Sequence, residues 1–170
     1  MNKILEEHFV KTYPKIFRDM YGNPRTTCMA FGISCNDGWF FFLDTLCGKI
    51  QRYIDRRLEL IAKGYALEDE KEPIPQVVAS QIKEKFGGLR FYFEGGDKTI
   101  SNWVDFAESL SYDICENCGK HNEQVGCNEK GWIQTLCCDC GVKNKKNIVP
   151  NENLVSLWWK VREDELKQKE

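Results

Sequence analysis

Apolar side chains recur along this chain at two periods, and the places where the period changes divide it. Ile4, Leu5, Phe9, Val10, Tyr13 and Phe17 fall at helical spacing interrupted at Pro14, which predicts one helix and a short continuation. Tyr21-Gly22-Asn23-Pro24 ends it as a turn. After a loop to Asp37, apolar positions from Phe40 through Leu43, Leu46, Cys47, Ile50, Ile54 and Leu58 to Ile61 repeat at three and four residues. That stripe predicts a long amphipathic core helix, closed by Gly64.

Residues 67–75 (LEDEKEPIP) are acidic, hold two prolines and read as an exposed loop. The period then becomes two. Val77, Ala79 and Gln81 alternate with Val78, Ser80 and Ile82, and Leu89, Phe91 and Phe93 alternate with Arg90 and Tyr92. This predicts a β-hairpin or two neighbouring strands, with Lys83-Glu84-Lys85-Phe86 near the turn. Thr99 or Ser101 is the expected cap of a further helix that gathers Trp103, Phe106, Ala107, Leu110 and Ile114 on one face. Trp132-Ile133-Gln134-Thr135-Leu136 is short and β-prone, and Asn151 can cap a last helix bearing Leu154, Leu157, Trp158 and Val161.

The sharpest chemical signal is C-x2-C-x18-C-x2-C at Cys115, Cys118, Cys137 and Cys140. A C-x-x-C turn presents two thiolates to one ion, and a second pair completes a tetrahedron, so the expected cofactor is a structural zinc. Gly119 and Gly141 directly follow the second cysteine of each pair, where tight turns are expected. Cys138 offers a shifted register without the two-residue gap; His121 and Cys127 read as loop residues of the insert. Four thiolates close the coordination shell and leave no position for activating water.

Together these elements predict an α+β fold: helices packed on a small antiparallel sheet or hairpin, with a zinc-ribbon-like knuckle. The expected division is an α+β body over 1–110, a zinc-binding module over 111–145 and a C-terminal helix over 146–170. With 42% hydrophobic residues in 170, the chain can build a real interior. A net charge of −2 supplies no global attraction to nucleic acid or anionic lipid. The opening residues lack the basic-then-apolar order of a signal peptide, and no apolar run approaches the roughly 20 residues of a membrane span, so a cytoplasmic location without membrane contact is expected. Nine cysteines in such a setting point to metal rather than disulfides.

Catalytic signatures are sparse. His8 and His121 are the only histidines, no phosphate-binding glycine motif occurs, and Asp37, Asp44, Asp97, Asp105 and Glu108 read as helix-surface carboxylates. Cys47 sits on the apolar stripe, and Cys28 and Cys35 lack a neighbouring histidine. The most unusual stretch is residues 81–93, where Lys83, Lys85 and Arg90 interleave with Phe86, Phe91 and Tyr92. Cations beside aromatic rings on a strand can hold phosphate while a base stacks, which makes Lys83, Lys85, Arg90 and Tyr92 the candidate ligand-binding set. Arg52, Arg56, Arg57, Lys143, Lys145 and Lys146 read as solvated.

The KEKFG-x-LRFY string, the Gly38-Trp39 helix opening, the ICENCG knuckle and GWIQTLC resemble a group of small, uncharacterised proteins of tailed bacteriophages and prophages, over most of residues 10–141. The acidic insert at 67–75 and Trp158-Trp159 depart from that pattern. The resemblance implies a phage setting, in which a small non-catalytic protein binds and inhibits or sequesters a host protein or a nucleotide immune signal. The alternatives are a zinc-ribbon protein acting on nucleic acid, which the charge disfavours, and an enzyme using unrecognised carboxylate chemistry. Adjacent Trp158 and Trp159 suggest a partner surface and a homo-oligomer.

Overall fold

In the computed structural model, residues 1–122 and 124–151 are described. The first helix, α1 (Lys3–Thr12), starts where the Asn2 side chain accepts a hydrogen bond from the Ile4 N–H at 2.9 Å. It stops before Pro14, and the expected continuation is a run of turns closed by Phe17 N–H to Tyr13 O at 3.0 Å. Buried Glu6 joins this helix to the following loop, accepting from Ile33 N–H at 2.6 Å and from the Tyr21 hydroxyl at 2.7 Å.

The long stripe forms α2 (Phe40–Ala62), and Gly64 (φ 71°) supplies the left-handed residue that ends it. Its buried positions run from Leu43 to Ile54; Leu58 is already exposed, because the helix outruns the elements that cover it. The hairpin comprises β1 (Val78–Lys85) and β2 (Gly88–Glu94), paired antiparallel. Strict alternation fails at its start. A register shift between Ala79 and Gln81 lets Val77, Val78 and Ala79 all be buried.

Asp97, rather than Thr99 or Ser101, caps α3 (Lys98–Leu110), its carboxylate accepting from the Ile100 N–H at 2.9 Å. Its buried face is formed by Ile100, Val104 and Ala107. Phe106, expected in the core, is instead 68% exposed and faces Phe41 across an outer groove between α2 and α3. The C-terminal part of α3 also covers the free edge of β2: Glu108 accepts from Phe91 N–H and Ser111 from Leu89 N–H, both at 2.8 Å.

The rest of the described chain forms a second small sheet, β3 (Val125–Asn128), β4 (Thr135–Cys137) and β5 (Ile148–Pro150), with α4 (Cys138–Lys143) after β4. The strand order is β4-β3-β5 and both pairings are antiparallel. Among the described residues the fold is therefore α+β, four helices with two small antiparallel sheets. The second sheet runs past residue 145, since β5 completes it. The last expected helix, with Trp158 and Trp159, lies outside the described residues. No helix among the described residues is long and apolar enough to cross a membrane.

Two seams join the sheets' surroundings. At the first, the Gly38 N–H donates to Glu116 O at 2.8 Å, and the buried Trp39 indole donates to Ile114 O at 2.9 Å. A Cβ on Gly38 would lie 2.2 Å from Cys115 O and 2.5 Å from Gly119 N. At the second, the Thr135 hydroxyl donates to Gly87 O at 2.7 Å across the hairpin tip.

Gly38→Ala is expected to lower the urea-denaturation free energy by about 1–3 kcal/mol or more, since the obstruction is backbone. Gly64→Ala, which meets nothing within 4 Å, is expected to cost only the left-handed backbone penalty of about 1 kcal/mol. Equal losses in the two variants would contradict the first seam.

Candidate functional site

The C-x-x-C turns carry the four cysteines in different ways. In the first, the Gly119 N–H returns to Cys115 O at 2.8 Å and Gly119 takes φ 74°, the tight turn expected of it. In the second, Cys137 ends β4 and caps α4, while Cys140 lies inside that helix. Gly141 is helical and needs its missing side chain for another reason: a Cβ there would lie 2.3 Å from Ile148 Cγ1. The four thiol sulfurs converge, all within 4.8 Å of one another, and could hold a metal ion. Cys118 and Cys137 sulfurs are 3.8 Å apart, far beyond a disulfide bond.

The alternative ligands point elsewhere. Cys138 Sγ is 3.4 Å from Gln124 O, Cys127 Sγ is 3.2 Å from Thr135 Oγ1, and His121 is exposed. Burial raises the pKa of the Cys115 and Cys140 thiols. Burial acts on Cys137 too, but the Cys140 backbone N–H and the surrounding thiols outweigh it and lower that pKa. Cys35 and Cys47 are buried away from this cluster, and burial pushes both thiols well above the ordinary range.

Several residues that tie the cluster to the body are silent in sequence. Glu116, inside the first turn, is 2% exposed. Its carboxylate accepts from Asn36 N–H at 3.0 Å and from the Gln134 amide at 3.3 Å. Burial raises its pKa, and the Glu84 charge adds to the rise against the Asn36 N–H. Asn128, 4% exposed, ties up the β3–β4 loop: its amide donates to Lys130 O at 2.7 Å and Trp132 O at 3.1 Å, and its carbonyl accepts from Gln134 N–H at 2.8 Å. Only an Asn between strand and glycine turn hints at this in the sequence.

The hairpin register places Lys83 opposite Arg90 and Gln81 opposite Tyr92, so Lys83, Lys85, Arg90 and Tyr92 share the face opposite the buried Ile82, Leu89 and Phe91. Their commitments differ. Arg90 turns inward, donating to Leu89 O at 2.5 Å and the Tyr112 hydroxyl at 3.3 Å, with Glu108 at 3.7 Å. Lys83 lies 5.6 Å from the Tyr92 ring centre and Lys85 5.5 Å from that of Phe86. Among the described residues neither lysine has a carboxylate partner within ion-pair distance. Lys83, Lys85, Phe86 and Trp132 line one cleft of about 410 Å³ between the hairpin tip and the β3–β4 loop.

The structure also joins two groups the sequence left apart: His8 Nε2 and Asp44 Oδ1 are 2.8 Å apart, and the Tyr13 hydroxyl donates to Asp44 at 2.8 Å. Burial first, then Asp44, pushes the Tyr13 hydroxyl up to about 12, so it remains a donor. Thr12 Oγ1, at 3.5 Å from His8 Nδ1, is at the outer limit of a hydrogen bond.

Comparison with protein-family models, with curated proteins and with solved structures finds no match. The reading of this chain therefore rests on its own geometry.

Cys118→Ser is expected to lower bound metal per chain, read by elemental analysis of purified protein, whereas Cys127→Ser and Cys138→Ser keep the wild-type content. Loss of metal in Cys138→Ser would move the cluster to the shifted register.

Proposed function

We propose that this protein is a non-catalytic binding protein in which a structural zinc fixes a hairpin face that captures a phosphate-bearing, nucleotide-type ligand. The observation that carries the reading is the pair Lys83 and Lys85, two ammonium groups on one strand face with no carboxylate partner among the described residues. Lys83 also stands directly across from Arg90, and like charges opposite each other in a hairpin cost up to about 1 kcal/mol. Glu108 and Tyr112 relieve Arg90 alone. An anion bound at the lysines relieves the other half.

Zinc suits the donor set. Zn–S bonds of about 2.3 Å arranged tetrahedrally put neighbouring sulfurs about 3.8 Å apart, the separation of Cys118 and Cys137. Cys115, Cys118, Cys137 and Cys140 would hold the ion, which supplies folding energy to the β3–β4–β5 sheet. With four thiolates the shell is closed, so the reading gives the metal no reaction to perform.

The phage resemblance of the KEKFG and CENCG strings supplies the setting: a protein in the host cytoplasm that sequesters a nucleotide signal or blocks a host protein that uses one. A net charge of −2 weighs against sequence-independent nucleic-acid binding as the main activity.

The test is native mass spectrometry of the chain purified from infected cells, with pyrophosphate titration of variants. A zinc-loaded chain with a nucleotide-sized increment is expected. Lys83→Gln/Lys85→Gln should weaken pyrophosphate about tenfold or more, because hydrogen bonds to charged groups are worth about 1.5–3 kcal/mol each, without lowering the denaturation midpoint. Arg90→Gln should lower that midpoint. Unchanged pyrophosphate affinity in the double variant sinks the assignment. Stripping the metal with a chelator should expose the amides of β3, β4 and β5 to hydrogen exchange before those of α2.

A further inference from the structure

We propose that the cleft between the hairpin tip and the β3–β4 loop binds a free nucleotide, its base stacked on Phe86 and Trp132 and its phosphate held by Lys83 and Lys85. This rests on the reading of the two lysines as an anion site and adds what else the ligand must carry.

Phe86 and Trp132 are 71% and 72% exposed, and both line the same cleft of about 410 Å³. That volume lies within the roughly 300–1,000 Å³ usual for small-molecule clefts. Exposed aromatic rings offer a base an uncommitted π face, and stacking on them does not depend on which base is present. The Lys85 ammonium lies over one face of the Phe86 ring, 5.5 Å from its centre, which leaves the other face for a base.

Both rings are held from beneath. The hairpin turns in two residues, Phe86 and Gly87, with φ of 54° and 80°. This is the arrangement that normally takes Asn, Asp or Gly at its first position. A bulky, exposed aromatic residue in the left-handed region is strained, and packing does not account for it, since most of the ring faces solvent. The strain is sustained by the docking of Gly87: its carbonyl accepts from Thr135, and a Cβ there would crowd Cys127, Ile133 and Thr135 at 3.2–3.3 Å. Trp132 is aimed by a loop that buried Asn128 fastens at both ends and that turns at Gly131 (φ 77°). Lys146 donates to Trp132 O as well. The backbone segments that carry the two rings are therefore both fastened to the second sheet.

Glu84 lines the cleft too, but it alternates to the opposite face of β1 from Lys83 and Lys85, and its carboxylate accepts from Gly87 N–H at 2.7 Å. A free nucleotide is favoured over a strand because the cleft has small-molecule dimensions and the chain as a whole is not basic.

Calorimetric titration of the zinc-loaded chain with inorganic phosphate, AMP, UMP and a short deoxythymidylate oligonucleotide tests this. AMP and UMP should bind roughly tenfold or more tightly than phosphate, as base–aromatic stacking requires. Trp132→Ala should bring them down to the phosphate level without changing phosphate itself. Phe86→Asn should raise the thermal midpoint, by placing a favoured residue in the turn, and at the same time weaken AMP. A lowered midpoint would make Phe86 a structural residue and overturn its role. AMP binding no tighter than phosphate would remove the stacking proposal and leave the lysine site standing, whereas no binding of either would remove both. Oligonucleotide binding much tighter than AMP, and steeply weakened by salt, would overturn the free nucleotide in favour of a strand.

Discussion

The described residues after 110 meet the body closely at two places, one backbone to backbone at Gly38 and one where side chains of the second sheet close on Gly87. At Gly38 and Gly87 there is no room for a side chain: a Cβ on the first would strike Cys115 and Gly119, and one on the second would crowd the strands of the second sheet. Contact this close lets Gly38 N–H reach Glu116 O and lets Thr135 reach Gly87 O. At Gly38 it also makes the position of the first cysteine turn against the body a matter of backbone geometry, which does not relax as a side chain would. Glu116 reinforces the first seam from inside the cysteine turn, where a buried carboxylate is tolerable only because Asn36 and Gln134 donate to it.

From these seams follows a division of labour across the hairpin. Its inner face is core, its outer edge is satisfied by Glu108 and Ser111, and Arg90 belongs with them as an internal anchor although it lies on the charged face. What is left over, Lys83, Lys85 and the ring of Phe86, lies at the end nearest the second sheet. The four cysteines act at a distance on that end. They hold β4 and α4, β4 pairs with β3, and Thr135 of β4 grips the hairpin turn. An ion held by those cysteines would thus act on a surface that none of them touches.

The parts legible in the sequence were those written in local periodicity or spacing. The stripe of α2, the alternation of β2 and the paired C-x-x-C turns each carry their own signal, and the structure keeps them. What was not legible depended on partners distant in sequence. Asp97 rather than Thr99 or Ser101 caps α3, and the face it buries is Ile100, Val104 and Ala107, which leaves Phe106, about 100° round from Ala107, outside. The shift after Ala79 let three consecutive residues be buried where alternation allowed only every second one. Gly141 sits where a turn was expected, yet it is helical and serves Ile148. No motif announces Glu116, whose partner Asn36 lies 80 residues away, and the local bonds of Asn128 are hinted at only by its place before a glycine turn.

The indole of Trp39 has an implication for how the chain is made. Among the described residues its N–H is satisfied by Ile114 O alone, 75 residues further on. While the polypeptide leaves the ribosome, the large apolar core around α2 can begin to collapse, but its bulkiest member keeps an unpaired donor until the first cysteine turn has emerged. Residues 36–39 therefore reach their hydrogen-bonded positions only once residues 114–116 have emerged. Where the four cysteines take up an ion, that docking is coupled to a metal that the core itself never contacts.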